Sequence, residues 1–339
     1  MSESFRTTSN FMILVDFKIR HPMRIFRPIA LTLLSGCLAG CGEGGGINST
    51  PTPPAPFPLT ATASFQTITG TLAYTGTVYN FASLSGGNAT PSQDTTAGRG
   101  SAVGFGYDAT TGTYSLTGGG ASASFTAANA TTATGYGAAF AKTSGTVTDT
   151  LALYGNAPAS APSAPAPVQL TYTSFGFWSH ADTSTVQTQN TYFVYGQPTG
   201  STAMPTTGTA TYQTTLAASM LQYAHAASQF AQLSGTASIS ANFAAGTVNT
   251  AVTLQTTGGS SMGTFSGTAA INADQFAGSL TSTNDQFTGG GFSGGFYGPA
   301  GQEMGYTFWA KLNNPDPYAG ASVQPASTAI SGVVVGKKN

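Results

Sequence analysis

The sequence predicts an all-β protein, with a C-terminal eight-stranded antiparallel β-barrel preceded by a smaller β-rich domain and, before that, by a signal peptide and a flexible linker. Three observations support this prediction. Apolar residues alternate with polar ones along much of the chain, as in strands with one buried face. Clusters of Gly, Asn, Asp and Thr interrupt the alternation about every 8–12 residues. Only 6% of the residues are charged, so the polar strand faces carry mostly Ser and Thr hydroxyls.

The composition excludes several classes of protein. Ten Lys and Arg residues in a chain of 339 cannot form the basic surface that nucleic acid requires, so no nucleic-acid partner is expected. Thr, Ser, Gly and Ala dominate the chain, whereas a coiled coil is rich in Ala, Glu, Lys, Leu and Arg in heptads.

The first 40 residues are predicted to be a signal peptide. Arg24 and Arg27 precede an apolar stretch at 28–40, which is shorter than the ~20 residues that a membrane-spanning helix needs. Residues 1–22 add further charges before this stretch, and Met23 is an alternative start of translation.

Both cysteines lie at the end of the apolar stretch, each after small residues. Leu-Ser-Gly-Cys37 and Leu-Ala-Gly-Cys41 each resemble the lipobox of bacterial lipoproteins, in which the thiol receives a diacylglyceryl group. We favour Cys41 over Cys37 because it leaves the longer apolar stretch and opens onto a Gly-rich segment. The resemblance implies a membrane anchor in the outer membrane, facing the periplasm or the cell exterior. The alternative is a plain secretory signal followed by a free cysteine.

Two segments rich in Pro separate the remaining chain into domains. Residues 41–59 combine Gly and Pro and are predicted to be a tether between the anchor and the body. Residues 60–160 alternate weakly and are predicted to form the smaller β-rich domain. A Pro/Ala-rich stretch then leads into the predicted barrel domain at 165–312.

The alternation is strongest in the predicted barrel domain, most clearly in Met304, Tyr306, Phe308, Ala310 and Leu312. Strands are predicted near 168–178, 190–196, 207–214, 233–243, 247–256, 263–271, 275–282, 290–297 and 303–312. Eight strands close a barrel that side chains can fill. Leu216, Met220 and Tyr223 also fit a short helix within 215–229, with an irregular loop as the other interpretation. Residues 313–339 show no period and are predicted to be a loose tail.

Two motifs resemble a known family. One comprises Phe296, Tyr297, Gly298 and Pro299, with Glu303 and an aromatic strand after them, and the other comprises Met204, Pro205, Gly208 and Tyr212. Together they resemble the barrel domain of transferrin-binding protein B and of small transferrin-binding-protein-like solute-binding lipoproteins. Gly301 and Tyr306 depart from the first motif, where Ala and Gly are usual.

This resemblance implies a handle-like domain followed by a barrel, and a monomeric binding lipoprotein without catalysis or cofactor. Relatives capture iron proteins or other partners through loops of handle and barrel, so an iron-related protein or solute is the implied ligand. The motif residues are interpreted as structural, and Glu303 is expected to accept backbone N–H bonds in its Gly-rich turn. The alternatives are a structural or adhesive envelope lipoprotein, an integral outer-membrane barrel and a hydrolase.

The candidate chemical motifs are weak. Ser261 and Ser293 each lie in a G-x-S-x-G pattern, but no His follows either serine and Gly is abundant. His180, Asp182 and His225 lack a third His or thiol in the mature chain to complete a metal site. We therefore predict no catalytic residue and no metal ligand.

The large aromatic residues are interpreted as barrel core. They would become anchors for a partner if they were exposed at one rim. The residues concerned are Phe175, Phe177, Trp178, Tyr306 and Trp309.

Overall fold

The computed structural model describes residues 59–78, 89–101, 103–132, 137–154, 168–223, 228–313 and 327–339. Cys37, Cys41, His225, the signal peptide and nearly all of the tether lie outside them. Within this part of the chain, no helix has the length and apolar character needed to cross a membrane.

Strands dominate the described residues, with only three short 3₁₀ helices, at Ala127–Asn129, Ser201–Ala203 and Pro299–Gly301. The strands are β1 Ala63–Gln66, β2 Ile68–Thr75, β3 Thr90–Ala97, β4 Val103–Asp108, β5 Thr113–Gly118, β6 Ala121–Phe125, β7 Ala130–Thr131, β8 Gly137–Ser144, β9 Val147–Tyr154, β10 Thr173–Asp182, β11 Gln187–Gly196, β12 Thr209–Tyr223, β13 Gln229–Asn242, β14 Thr247–Thr256, β15 Ser261–Asn272, β16 Gln275–Ser279, β17 Thr281–Ser282, β18 Phe287–Tyr297, β19 Glu303–Asn313 and β20 Ser327–Lys338.

The C-terminal strands form a closed antiparallel barrel. Their order is β14-β13-β12-β20-β19-β18-β16-β15-β17, and pairing of β14 with β15 closes the ring. The short strands β16 and β17 occupy one position between β18 and β15, which makes eight positions in all. The predicted all-β class and eight-stranded barrel are therefore confirmed.

Strand β19 shows why this sequence fills a barrel. Met304, Tyr306 and Phe308 point into the barrel and are fully buried in its core. The Tyr306 hydroxyl lies 2.6 Å from Oγ1 of Thr250 on the opposite side of the ring, which satisfies a polar group inside an apolar core. The interior is thus a packed core, as expected for eight strands.

The expected loose tail at 313–339 is wrong. Residues 327–338 form β20, which pairs with β12 on one side and β19 on the other. Ile330 and Val334 face the barrel core, whereas Val333 and Val335 face the neighbouring domain. Because both faces of β20 are buried, apolar residues occupy both faces, as in Val333-Val334-Val335, and the two-residue alternation typical of strands with one buried face is missing.

The segment expected to be a helix or loop at 215–229 begins with the second half of β12. Leu216, Ala218 and Met220 face the barrel core, and Leu221 is buried against the neighbouring domain. Leu216 and Met220 are four residues apart, and this spacing fits one face of a strand as well as one face of a helix.

The preceding domain, which we call the handle, comprises the described residues between 59 and 196. Its first sheet has the order β1-β4-β5-β6, and its second has the order β3-β2-β11-β10-β9-β8-β7. Phe105, Phe125, Trp178 and Phe193 are among the buried residues packed between the two sheets.

The domain boundary expected near 160–165 differs from the structure. Strands β10 and β11, which were assigned to the barrel, lie in the second handle sheet between β9 and β2. Trp178 accordingly belongs to the handle core, and Phe175 belongs to the buried cluster between handle and barrel. Of the expected aromatic set, Tyr306 lies in the barrel core. Alternation marks a strand with one buried face, but it does not say which sheet the strand joins.

The outer face of the second handle sheet packs on the barrel. Val194 of β11 contacts the same buried cluster as Val333 and Val335 of β20. A Cβ on Gly70 of β2 would lie 2.9 Å from Cβ of Thr307, so glycine allows the two backbones to approach closely. The protein therefore consists of three layers, namely a small sheet, a large sheet and a barrel.

Candidate binding site

The family-motif residues meet at one end of the barrel, which we call the turn end. It carries the tight connections 243–246, 273–274 and 298–302. The Tyr212 hydroxyl donates to the Gly301 carbonyl at 2.8 Å, and the Phe296 ring packs 6.4 Å from the Tyr212 ring. These contacts bring together two motifs that are far apart in sequence.

The other motif residues shape the turns at the same end. Gly208 and Gly298 have φ values of +81° and +70°, which favour glycine, and Pro299 begins the 3₁₀ helix after Gly298. Met204 and Pro205 are half-buried, with Met204 against the barrel core, and Tyr297 is fully buried. The structural role expected of these residues stays a prediction.

Glu303 is buried where the handle meets the turn end. Its carboxylate accepts backbone N–H bonds from Thr171 at 2.6 Å, Tyr172 at 2.7 Å and Thr173 at 2.9 Å. The donors belong to the segment that enters β10, and not to the Gly-rich turn that the sequence suggested. Burial raises the pKa of the Glu303 carboxyl above its ordinary value, against the opposing effect of the three N–H bonds.

A second contact between handle and barrel joins Arg99 to Asp274. Arg99 Nη1 lies 2.8 Å from Asp274 Oδ2, and the two side chains are only 8% and 9% exposed. The guanidinium also lies 5.3 Å from the centre of the Tyr297 ring. No sequence motif contains this pair.

The opposite end of the barrel, which we call the open end, contains a pocket of about 330 Å³. Met220, Leu312 and Thr328 are its buried lining residues and form the floor. Hydroxyl and amide side chains complete the lining, including the exposed Ser260 and Ser261. Among the described residues, no charged side chain lines this pocket.

A second pocket, of about 320 Å³, lies on the handle. It is lined by Tyr74, Ser92, Gly119, Gly120, His180, Asp182, Gln187 and Gln189, among others. The Tyr74 ring packs 6.4 Å from the ring of Phe230, which lies at the start of β13. Because β13 begins at the open end, the handle pocket and the barrel pocket flank the same end of the molecule.

His180 is held by a neighbour that sequence reasoning did not identify. Its Nδ1 lies 2.8 Å from Oδ1 of Asp149, which also accepts the Trp178 indole N–H at 3.0 Å. Asp149 faces His180 across the β9–β10 pairing. No set of three His, Cys, Asp or Glu residues suited to a metal ion occurs among the described residues.

Asp182, proposed with His180 as the start of a metal site, instead lies in a local turn. Its carboxylate accepts bonds from the backbone N–H and hydroxyl of Ser184, at 2.9 and 2.7 Å. These bonds lower the pKa of Asp182 to about 2.

The two serines of the G-x-S-x-G patterns lie in strands. Ser293 is buried within β18, and Ser261 begins β15. A nucleophile elbow requires a sharp turn between a strand and a helix, and neither serine has that surrounding structure.

The aromatic residues do not supply exposed anchors. Val186 is the one large hydrophobic residue that is exposed among the described residues, at 42%. Trp309 and Phe177 are half-buried. The described surface at both barrel ends is therefore polar and carries no protruding aromatic side chain.

A closed eight-stranded barrel packed against a two-sheet handle defines the class of handle-and-barrel proteins. Residues 204–338 match the family described as the C-lobe and N-lobe β-barrels of Tf-binding protein B. This part of the chain is therefore similar to the barrels of transferrin-binding protein B, as the two motifs predicted. The match covers β12 to β20 and begins at Met204, the first motif residue.

Solved structures with some similarity include proteins of three bacteria, as follows. Transferrin-binding protein B of Haemophilus parasuis is 11% identical, with 81% of this chain and 76% of that chain covered and a TM-score of 0.40. The protein of the same name from Actinobacillus pleuropneumoniae is 13% identical, with 79% and 99% covered and a TM-score of 0.37. HpuA of Kingella denitrificans, in complex with human haemoglobin, is 14% identical, with 86% and 93% covered and a TM-score of 0.35. No curated protein matches the sequence.

Proposed function

We propose that the protein is a lipid-anchored outer-membrane lipoprotein that captures a host protein through the open end of its barrel and the adjoining end of its handle. The observation that carries this proposal is the position of the two pockets, which flank one end of the body. The barrel's match to the family of Tf-binding protein B supports a binding role for it. At the turn end, by contrast, the motif side chains are engaged in internal contacts.

The proposal assigns each part of the chain a task. Residues 1–40 direct export, Cys41 carries the lipid, and residues 42–59 hold the body away from the bilayer. In place of the expected boundaries, we place the handle at 60–196 and the barrel at 204–338. The body acts without catalysis, as a monomer and without a cofactor.

The paired pockets also bear on the alternative role. A purely structural or adhesive envelope protein has no need of concave surfaces, whereas capture of a folded partner uses them. The two pockets therefore favour ligand capture over the structural alternative.

Binding is tested with the full mature protein immobilised on a sensor surface and with transferrin and haemoglobin as probes. We expect saturable binding of one of these iron-carrying proteins. Arg substitutions at the exposed residues Gln187 and Ser260, at the open end, should weaken that binding at least tenfold. Matched Arg substitutions at Ser201 and Thr206, exposed at the turn end, should leave it unchanged.

Two results would overturn the proposal. One is the absence of saturable binding for both probes. The other is loss of binding from the turn-end pair of substitutions with retention in the open-end pair.

The anchor is tested separately by metabolic labelling with radioactive palmitate. Cys41→Ala should abolish incorporation of the label and release the protein from the membrane fraction, whereas Cys37→Ala should retain the label. Loss of label in Cys37→Ala alone would place the lipid on the other cysteine.

A further inference from the structure

The barrel pocket at the open end has a composition that restricts its ligand. Met220 and Leu312 supply an apolar floor, and Met262 is half-buried beside them. The hydroxyl and amide groups of Ser261, Asn284 and Gln286 complete the lining. Because no charged group lines the pocket among the described residues, a charged ligand would lose its hydration there without gaining an ionic partner from them.

The size of the pocket restricts the ligand further. Pockets that bury drug-sized molecules have volumes of ~300–1,000 Å³, and this pocket, at about 330 Å³, lies at the lower limit. It therefore suits a single side chain better than a large planar cofactor. Methionine side chains are flexible and polarisable, so the pocket can adjust to either an aliphatic or an aromatic group.

The described surface around the barrel pocket is polar. Protein interfaces usually obtain most of their affinity from a few buried apolar or aromatic anchors. The described surface exposes one large hydrophobic residue, Val186. The barrel pocket is a concave site, and a concave site can receive an anchor that the partner presents.

We infer that the barrel pocket receives one uncharged apolar side chain, aromatic or aliphatic, presented by a protruding loop of the captured protein. Met220, Met262 and Leu312 contact the body of this side chain, and the hydroxyl and amide groups bind its polar edge or its backbone. This inference rests on the proposed capture of a host protein and specifies the chemistry of its contact.

The positions of the methionines make a direct test feasible. Met220 and Met262 line the pocket at the open end, whereas Met204 and Met304 lie at the turn end. Methyl-¹³C methionine in the full mature protein then gives two reporting signals and two internal controls. The signals are assigned with single Met→Leu variants.

The probes are p-cresol and indole, which reproduce the Tyr and Trp side chains, with acetate and guanidinium as charged comparisons. We expect p-cresol or indole to shift the Met220 and Met262 signals saturably and to leave the Met204 and Met304 signals in place. Acetate and guanidinium should shift none of them. Absence of a saturable shift, or equal shifts with the charged probes, would overturn the inference.

A substitution that fills the pocket provides the second measurement. Ser261→Trp should abolish the probe-induced shifts and weaken binding of the host protein at least tenfold. Thr236→Trp, exposed on strand β13 of the barrel wall, is the matched control and should change neither. Unchanged host-protein binding by Ser261→Trp would overturn the inference and leave the proposed function intact.

Failure of the proposed function has a different signature. The side-chain probes would still bind, but neither transferrin nor haemoglobin would. Native mass spectrometry can also detect a small molecule that the purified wild-type protein retains and that Ser261→Trp lacks. Such a molecule would show that the pocket binds a free solute and would overturn the inference of a partner's side chain.

Discussion

At the scale of single residues, Glu303 is the side chain whose loss should be most costly. Glu303→Gln replaces one carboxylate oxygen with an NH₂ group, which cannot accept the N–H groups of Tyr172 and Thr173. Hydrogen bonds to a charged group contribute ~1.5–3 kcal/mol each, so we expect a loss of roughly 3 kcal/mol in the free energy of unfolding. Equilibrium unfolding in urea measures this change in the free energy of unfolding. Asp285→Asn, at an exposed position, is the control and should change little.

The same carboxyl group predicts a pH dependence with a defined sign. Because burial raises the pKa of Glu303 in the folded protein above its ordinary value of 4.5, the folded state binds the proton more tightly than the unfolded state. The stability that this proton contributes is present below pH 4.5 and is lost as the pH rises through the folded-state pKa. The stability difference between wild type and Glu303→Gln should therefore narrow from pH 4.5 to pH 7. A difference that widens over this range would contradict the assigned direction.

The buried ionic contacts mark the limit of prediction from sequence at this scale. The acceptor role of Glu303 followed from the Gly-rich turn near it, but its donors lie 130–132 residues away in sequence. The Arg99–Asp274 pair spans 175 residues and belongs to no motif. Such contacts depend on how two domains pack, and local sequence patterns contain no information about that packing.

At the scale of elements, alternation located most of the barrel strands but failed where apolar residues occupy both faces of a strand. The predicted bounds of β14 and β19 agree with the structure to within a residue at each end. In β14 polar residues alternate with apolar ones, and in β19 apolar residues recur at every second position. β20 was not predicted, because three consecutive valines give no alternation. Val334 faces the barrel core, whereas Val333 and Val335 face the handle. A continuous apolar run near a Gly is the signal that could have identified it.

Close packing around β20 gives a prediction for one glycine. A Cβ at Gly332 would lie 2.5 Å from Cζ of Phe308 and 2.8 Å from the backbone oxygen of Ala217. The backbone oxygen has little freedom to move, so Gly332→Ala should destabilise the protein by ~1–3 kcal/mol. Gly258→Ala is the matched control, because its Cβ would meet only Oγ1 of Thr256 at 3.8 Å. Equal unfolding midpoints for the two variants would show that β20 is less tightly enclosed than described.

At the scale of the whole molecule, handle and barrel share buried clusters and should unfold together. The chain contains two tryptophans, and Trp178 lies in the handle core whereas Trp309 lies on the barrel strand β19. In Trp309→Phe, fluorescence reports the handle, and in Trp178→Phe it reports the barrel. We expect the fluorescence and far-UV circular dichroism midpoints in urea to coincide within each variant. Separate midpoints would show that one domain unfolds while the other persists.

The order in which the barrel strands occur along the chain has a consequence for biogenesis. β12, the first strand of the ring, has β20, the last, as one of its two neighbours. The ring therefore stays open for as long as residues 327–338 are inside a ribosome or a translocation channel. Until then, β12 and β19 each present an unpaired edge, which is a template for aggregation. These two edges are protected together, at the moment when β20 joins the ring.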